Sequence, residues 1–155
     1  LQLTVRSYTD KVRNQILASI KRISLGTAQA AGVAGDRLPV VTVKDEFTPS
    51  AYNDPSLAKR VTDTMEDWLG KGILIKRQPT MGGEDFGMYG RTEHKIPIFM
   101  FALGTVSSDL IKRFRAAGKP LPMVHSSTYA PDIEPSLRTG VTATTATALD
   151  LLVKK

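Results

Sequence analysis

The run Ile96-Pro97-Ile98-Phe99-Met100-Phe101-Ala102-Leu103 has no polar residue to alternate with its apolar ones. Crossing a bilayer takes about 20 apolar residues, so a run this short does not span one. A short unbroken apolar run is the pattern of a strand buried on both faces, with helices above and below its sheet. The expected class is therefore α/β. The surrounding order from residue 45 is helix, strand, helix, strand, helix, as at one end of such a sheet.

The flanking elements have their own signals. Asp54-Pro55 opens a helix, with Asp as cap and Pro at the first helical position. Leu57, Val61, Met65 and Trp68 form its apolar stripe, and Gly70 ends it. Ile73 to Ile75 reads as a short strand. A tight turn, Pro79-Thr80-Met81-Gly82-Gly83-Glu84-Asp85-Phe86, leads into a short helix. Another short helix covers Leu110 to Ala117, and Gly118-Lys119-Pro120 breaks it. The last helix starts near Glu134-Pro135, with Leu137, Val141, Thr145, Ala148, Leu149 and Leu152 on one face, and its Thr and Ala content gives a small-residue surface for close packing on a sheet.

The N-terminal third differs. Leu1, Leu3 and Val5 alternate with Gln2, Thr4 and Arg6, the period of a half-buried strand. Thr9 or Asp10 caps a helix that carries Val12, Ile16, Ile20 and Ile23 at helical spacing. It continues past Gly26 to Ala31, and Gly32 and Gly35 mark its exit. Val40 to Val43 is a second strand. Residues 1–44 thus read as β-α-β, half of a sheet-plus-helix layer whose other half is expected elsewhere. The Phe47 to Asn53 stretch, with Thr48-Pro49-Ser50, reads as a linker.

Composition narrows the chemistry. The chain has no cysteine, which removes disulfides, thiolate metal sites and a cysteine nucleophile. Cytoplasm and periplasm both remain open, and no secretory signal stands at the front. The net charge is +6, but Lys and Arg are scattered and aromatics make up only 6%. That fits a solvated basic surface better than a nucleic-acid platform. Neither nucleic acid nor membrane is expected as a partner.

Few residues can carry chemistry. Of the two histidines, His94 lies in the polar stretch Glu93-His94-Lys95 and reads as an exposed loop residue. His125 lies in a polar loop before the last helix, where α/β sheets often bind ligands. A single histidine is still not a metal site, which needs several ligands. Gly82 and Gly83 permit close backbone approach, and Glu84 and Asp85 suit the positive end of the helix that follows. That turn is either a well-capped helix start or the wall of a site. Arg6 is either solvated or a bidentate clamp for a carboxylate.

In chain order, these pieces resemble one family. Val5-Arg6-Ser7-Tyr8 is similar to its Val-Arg-Thr-Phe segment, and Asn53-Asp54-Pro55 recurs at a helix start. Met81-Gly82-Gly83-Glu84-Asp85-Phe86 resembles its Met-Gly-Ser-Glu-Asp-Phe motif. The Ile96 to Gly104 stretch resembles Pro-x-x-x-Phe-x-Leu-Gly, and His125-Ser126-Ser127-Thr128-Tyr129 resembles His-Ser-Pro-x-Phe/Tyr. Leu137 to Gly140 resembles the Leu-x-x-Gly start of the terminal helix. The family is that of metal-dependent amidohydrolases and metallopeptidases, including aminoacylases, auxin-conjugate hydrolases and related carboxypeptidases.

The resemblance implies the C-terminal part of a dinuclear-metal, aminopeptidase-like catalytic domain (residues 45–155). Half of a β-α-β lid, or dimerisation, domain would precede it (residues 1–44). It implies hydrolysis of N-acyl amino acids or small peptides by a water activated on two divalent metals, zinc or manganese. His125 would be the last metal ligand and Arg6 the lid arginine that holds the substrate carboxylate. Gly82 and Gly83 would line the substrate pocket, with Glu84 and Asp85 beside them and neither assigned as a ligand. The general-base glutamate and the other ligands lie upstream in the family, so the partner of this chain would be the upstream part of the same protein. The chain alone would be inactive, and a homodimer would form through the lid. Ser127 departs from the family's usual Pro, and the Lys112-Arg113-Phe114-Arg115 helix is longer than the usual connection. A different reading is a non-catalytic module that pairs through its sheet edge. It would show a stable dimer and no metal dependence.

Overall fold

Thr9 sets where the first helix begins. In the computed structural model, which describes residues 1–153, Thr9 is extended and its hydroxyl oxygen accepts the Val12 N–H at 3.2 Å. That bond satisfies one of the N–H groups a helix start leaves open. Asp10 follows, at the positive end of the helix dipole. Helix α1 runs Asp10–Ala30, straight through Gly26. Gly32, at φ 70°, turns the chain out of it. The Gly32 N–H reaches Gln29 O and the Val33 N–H reaches Ala28 O, both at 3.0 Å. A left-handed residue followed by this pair of bonds satisfies the last helical carbonyls. No α1 residue is buried. Ile16 and Ile20 are half-buried, while Val12 and Ile23, expected on the same face, are exposed.

Two compact units make up the chain, and α1 belongs to the first, Leu1–Asp54 with Arg77–Met100. This unit also holds a 3₁₀ turn at Gly35–Arg37 and a 3₁₀ segment at Asp85–Arg91. The stretch expected to be a linker packs here instead. Pro49 is buried, and Ser50 Oγ donates to Tyr8 O at 2.9 Å. The Arg13 guanidinium lies over the Phe47 ring, 3.9 Å from its centroid, an attractive cation–π geometry. Gly87 is buried against this stretch. A Cβ there would meet Ser50 O at 3.0 Å and Ala51 N at 3.1 Å, so this glycine is required for close approach.

In the second unit, Pro55–Lys76 with Phe101–Lys155, the described residues form three helices. They are α2 (Pro55–Leu69), α3 (Ser108–Ala116) and α4 (Ile133–Leu152). Val61 and Met65, one turn apart on α2, are each 1% exposed, and Ala143 and Ala146 on α4 are 2% and 1% exposed. Burying a side chain such as Val or Met stabilises by about 1.5–3 kcal/mol. The alanines let the two helices approach closely. Arg60 of α2 donates to the Asp150 carboxylate of α4 at 2.6 Å and also to the Asp150 carbonyl. Thr144 and Thr147 return their hydroxyls to Gly140 O and Ala143 O at 2.8 Å, so the Thr-rich helix leaves these polar groups bonded. The inward face of α4 is therefore its small-residue face. The expected apolar face, including Leu137, Val141, Leu149 and Leu152, is exposed.

The strand expectations need correction. No strand occurs among the described residues. Residues 1–7, 40–43, 73–75 and 96–103 run without repeating backbone pairing, so the described fold is helical with extended connections. Neither the sheet of an α/β domain nor the β-α-β arrangement at residues 1–44 is formed among these residues. Alternating or β-branched sequence favours extended backbone, but a strand exists only when a neighbour completes its ladder. Of the apolar run, Ile98 alone is buried, at 8% exposure. Its carbonyl accepts the Asp54 N–H at 2.9 Å. No helix of the described residues is long and apolar enough to cross a membrane.

Candidate functional site

Within the first unit, two segments far apart in sequence meet. Arg6 Nη1 donates to Met81 O at 2.5 Å, across 75 positions. Tyr8 Oη donates to Pro79 O at 3.2 Å. Arg6 Nη1 also lies 4.0 Å from where a Cβ on Gly83 would stand. The structure thus brings Arg6 to Gly82 and Gly83, which the sequence could nominate only separately, and these glycines lie in an extended stretch rather than in the expected tight turn. Arg6 is exposed, and one arm of its planar fork is engaged. A guanidinium has five donors, so carboxylate binding from solvent remains within its chemistry.

The neighbouring acidic residues have local work. Glu84 Oε1 accepts the Phe86 N–H at 3.2 Å and caps the 3₁₀ segment. Asp85 Oδ1 accepts the Thr48 hydroxyl at 3.2 Å. Asp10 Oδ2 accepts from Arg91 Nη2 at 2.5 Å, which ties the start of α1 to the end of that segment. An open cleft of about 300 Å³ lies in the same unit, bordered by Ser50, Gly87, Arg91 and Ile98 among others. Gly82 itself is not forced by packing, since the nearest atom to an added Cβ is Thr80 Oγ1 at 3.7 Å.

In the second unit, His125 stands on a double turn. Ser126 N–H bonds Met123 O at 2.8 Å, and Tyr129 N–H bonds Ser126 O at 3.1 Å. The Ser126 hydroxyl accepts the Thr128 N–H at 3.2 Å and pairs with the Thr128 hydroxyl at 2.8 Å. These bonds shape the loop without a proline at Ser127. His125 is exposed at the turn. Its imidazole is chemically suited to one ligand position of a divalent metal. The described residues contain no group of three or more His, Cys, Asp or Glu side chains that could hold a metal ion. This chain therefore fits one ligand position and does not assemble a metal centre from its own described side chains. His94, in the turn closed by Lys95 N–H to Thr92 O, is exposed as expected.

Several participants were not legible beforehand. Thr48 and Ser50 lay in the stretch expected to be a linker, and their Pro-centred sequence gave no sign of long-range contacts. Tyr129 stood inside a recognised motif without a role, as did Tyr8.

An exposed arginine thus lies against a glycine-containing segment in one unit, and a single exposed imidazole stands on a loop of the other. The chain matches the family model of Peptidase family M20/M25/M40 over residues 8–125, and it belongs to that family of metallopeptidases and amidohydrolases. The match covers the Met81–Phe86 turn and reaches His125, while Arg6 lies just before it. Members of the family generally bind divalent metals. No solved structure matches the chain.

Proposed function

We propose that this chain is the C-terminal portion of an amidohydrolase that cleaves N-acyl amino acids or small peptides, akin to aminoacylases and related carboxypeptidases. In this reading residues 1–44 are the second half of a lid through which the protein forms a homodimer. Residues 45–155 complete a catalytic domain whose other part, with the general-base glutamate and the remaining ligands, lies upstream. His125 supplies one ligand to a zinc or manganese pair, and such metals supply Lewis-acid activation of amide and water.

The contact of Arg6 with the Met81–Gly83 turn carries the reading. A cation held beside two successive residues without side chains suits a substrate carboxylate with the amide-bearing part of the molecule along Gly82 and Gly83. Gly82 has no positive φ and no packing reason to be glycine. The space it leaves open is what a ligand running along the turn would need. Glu84 and Asp85, bonded to the Phe86 N–H and to Thr48, keep the stretch after Gly83 in shape, and in this reading they stand beside the bound substrate.

The test begins with denaturing intact-mass spectrometry of the natural protein, followed by hydrolysis assays with N-acyl amino acids and added zinc or manganese. A larger polypeptide that turns over such substrates, beside inactive residues 1–155, supports the proposal. Robust turnover by residues 1–155 alone, lost in His125→Ala, overturns the partial-chain reading. A complete polypeptide inert toward every N-acyl amino acid and dipeptide overturns the substrate class.

A further inference from the structure

The loop that carries His125 is anchored downstream at a single residue. The Thr105 carbonyl accepts the Asp132 N–H at 2.7 Å. The Thr105 side-chain hydroxyl pairs with the Tyr129 hydroxyl. Both Thr105 and Tyr129 are half-buried, whereas His125 and its neighbours Val124 and Ser127 are exposed. Solvent therefore reaches the imidazole, and the backbone turns set where the Cβ that carries it stands. Two successive turns share Ser126, and the second ends at Tyr129. Beyond Tyr129 the chain passes to Asp132, the residue before α4. Thr105 thus grips the loop twice, once at the end of its second turn and once where the helix takes over. A turn held only by its internal bonds would swing about its ends. The Thr105 bonds remove that freedom.

From this geometry we propose that Thr105 and Tyr129 are positioning residues that fix where the His125 imidazole stands. The proposal rests on the reading of His125 as a metal ligand. Groups that orient a ligand without touching the metal typically contribute 10–100-fold to metal affinity. The Tyr129–Thr105 bond acts at one further remove, through the backbone of the turn. Its loss is expected to weaken binding roughly 10-fold, at the lower end of that range.

The experiment uses the complete polypeptide, stripped of metal and titrated with zinc, and reads affinity calorimetrically beside the thermal melting temperature. Tyr129→Phe keeps the ring and removes the hydroxyl. Thr105→Val keeps the shape and removes the partner. Thr105→Ser keeps the hydroxyl. The expected result is weaker zinc binding in Tyr129→Phe and Thr105→Val, near-normal binding in Thr105→Ser, and little change in melting temperature. If Tyr129→Phe does not fold, Thr105→Val against Thr105→Ser decides the matter. Unchanged zinc affinity in Tyr129→Phe or Thr105→Val, while His125→Ala weakens binding, overturns the positioning role and leaves the ligand reading intact. Unchanged affinity in His125→Ala overturns the ligand reading, and the positioning proposal falls with it.

Discussion

The carboxamide of Asn53 pairs with the backbone of Met100 as a strand neighbour would: Nδ2 donates to Met100 O and Oδ1 accepts the Met100 N–H, both at 2.8 Å. A side chain here supplies what a sheet partner supplies elsewhere. It does so at Met100, inside the apolar run expected to be a buried strand. Each bond is worth about 0.5–1.5 kcal/mol net, so Asn53→Leu should destabilise by about 1–3 kcal/mol. Asn53→Asp, which keeps the acceptor and loses the donor, should also destabilise at neutral pH. Urea unfolding of the variants checks both, and wild-type stability in Asn53→Leu would show that water replaces the pair at no cost.

Glycine 87, not the Gly82-Gly83 pair, is where backbone crowding is decisive. The added methyl of Gly87→Ala would press on the Ser50 carbonyl at 3.0 Å, which cannot yield as a flexible side chain does. Overpacking of this kind costs about 1–3 kcal/mol. Gly82→Ala meets only an ordinary contact and should be tolerated by the fold. On the proposed function it should nonetheless impair substrate binding. Thermal melts of both variants, with KM measured for Gly82→Ala in the complete polypeptide, separate the two roles.

Opposite faces of α4 should respond in opposite ways. Ala146→Leu inserts bulk at a side chain 1% exposed where α4 packs on α2, for a loss of about 1–3 kcal/mol. Leu149→Ala alters a side chain 51% exposed and should change the stability of the chain by no more than about 0.5 kcal/mol. Denaturant midpoints of the two variants in residues 1–155 make the comparison.

On Arg6, the expected signature is one of binding. Arg6→Lys retains the charge and loses the fork, and in the complete polypeptide it should raise KM for N-acyl amino acids roughly 10-fold, with kcat little changed. Substrates whose carboxylate is amidated should show no such difference between wild type and variant. An equal effect on both substrates would argue that Arg6 only holds the Met81 turn.

Lys59 gives a pH test on the surface of α2. The hydrogen bond and charge of Asp63, at 2.6 Å, raise its pKa above the ordinary 10.5. A raised lysine pKa means a contribution to stability that is full below 10.5 and fades as pH climbs through the folded-state value. Asp63→Asn should return the titration to the ordinary range, as read by NMR of the lysine side chain. Both partners are exposed, so melting temperature near neutral pH should move little.

The helices were legible because their signals are local. Thr9, Gly32, Pro55 and Gly70 act on backbone within a turn of themselves, and α1 and α2 begin and end where those residues require. The family was legible too, because motifs such as Met81–Phe86 lie in order within the stretch, residues 8–125, that matches the family model. The strands failed for the opposite reason. Alternation at Leu1, Leu3 and Val5 specifies an extended chain and an apolar side, but the hydrogen-bond partner is another segment, which local pattern does not name.

By itself, then, the sequence determined the helix positions, the family and the handful of residues with suitable chemistry. Tertiary structure decided which of these meet: Arg6 with the Met81 carbonyl, Asn53 with Met100, and Thr105 with Tyr129. It also decided that α4 turns its alanines and not its leucines toward α2. Capping and propensity are short-range and written residue by residue. Packing depends on which surfaces can approach closely, a property of two segments at once that neither segment's sequence contains alone.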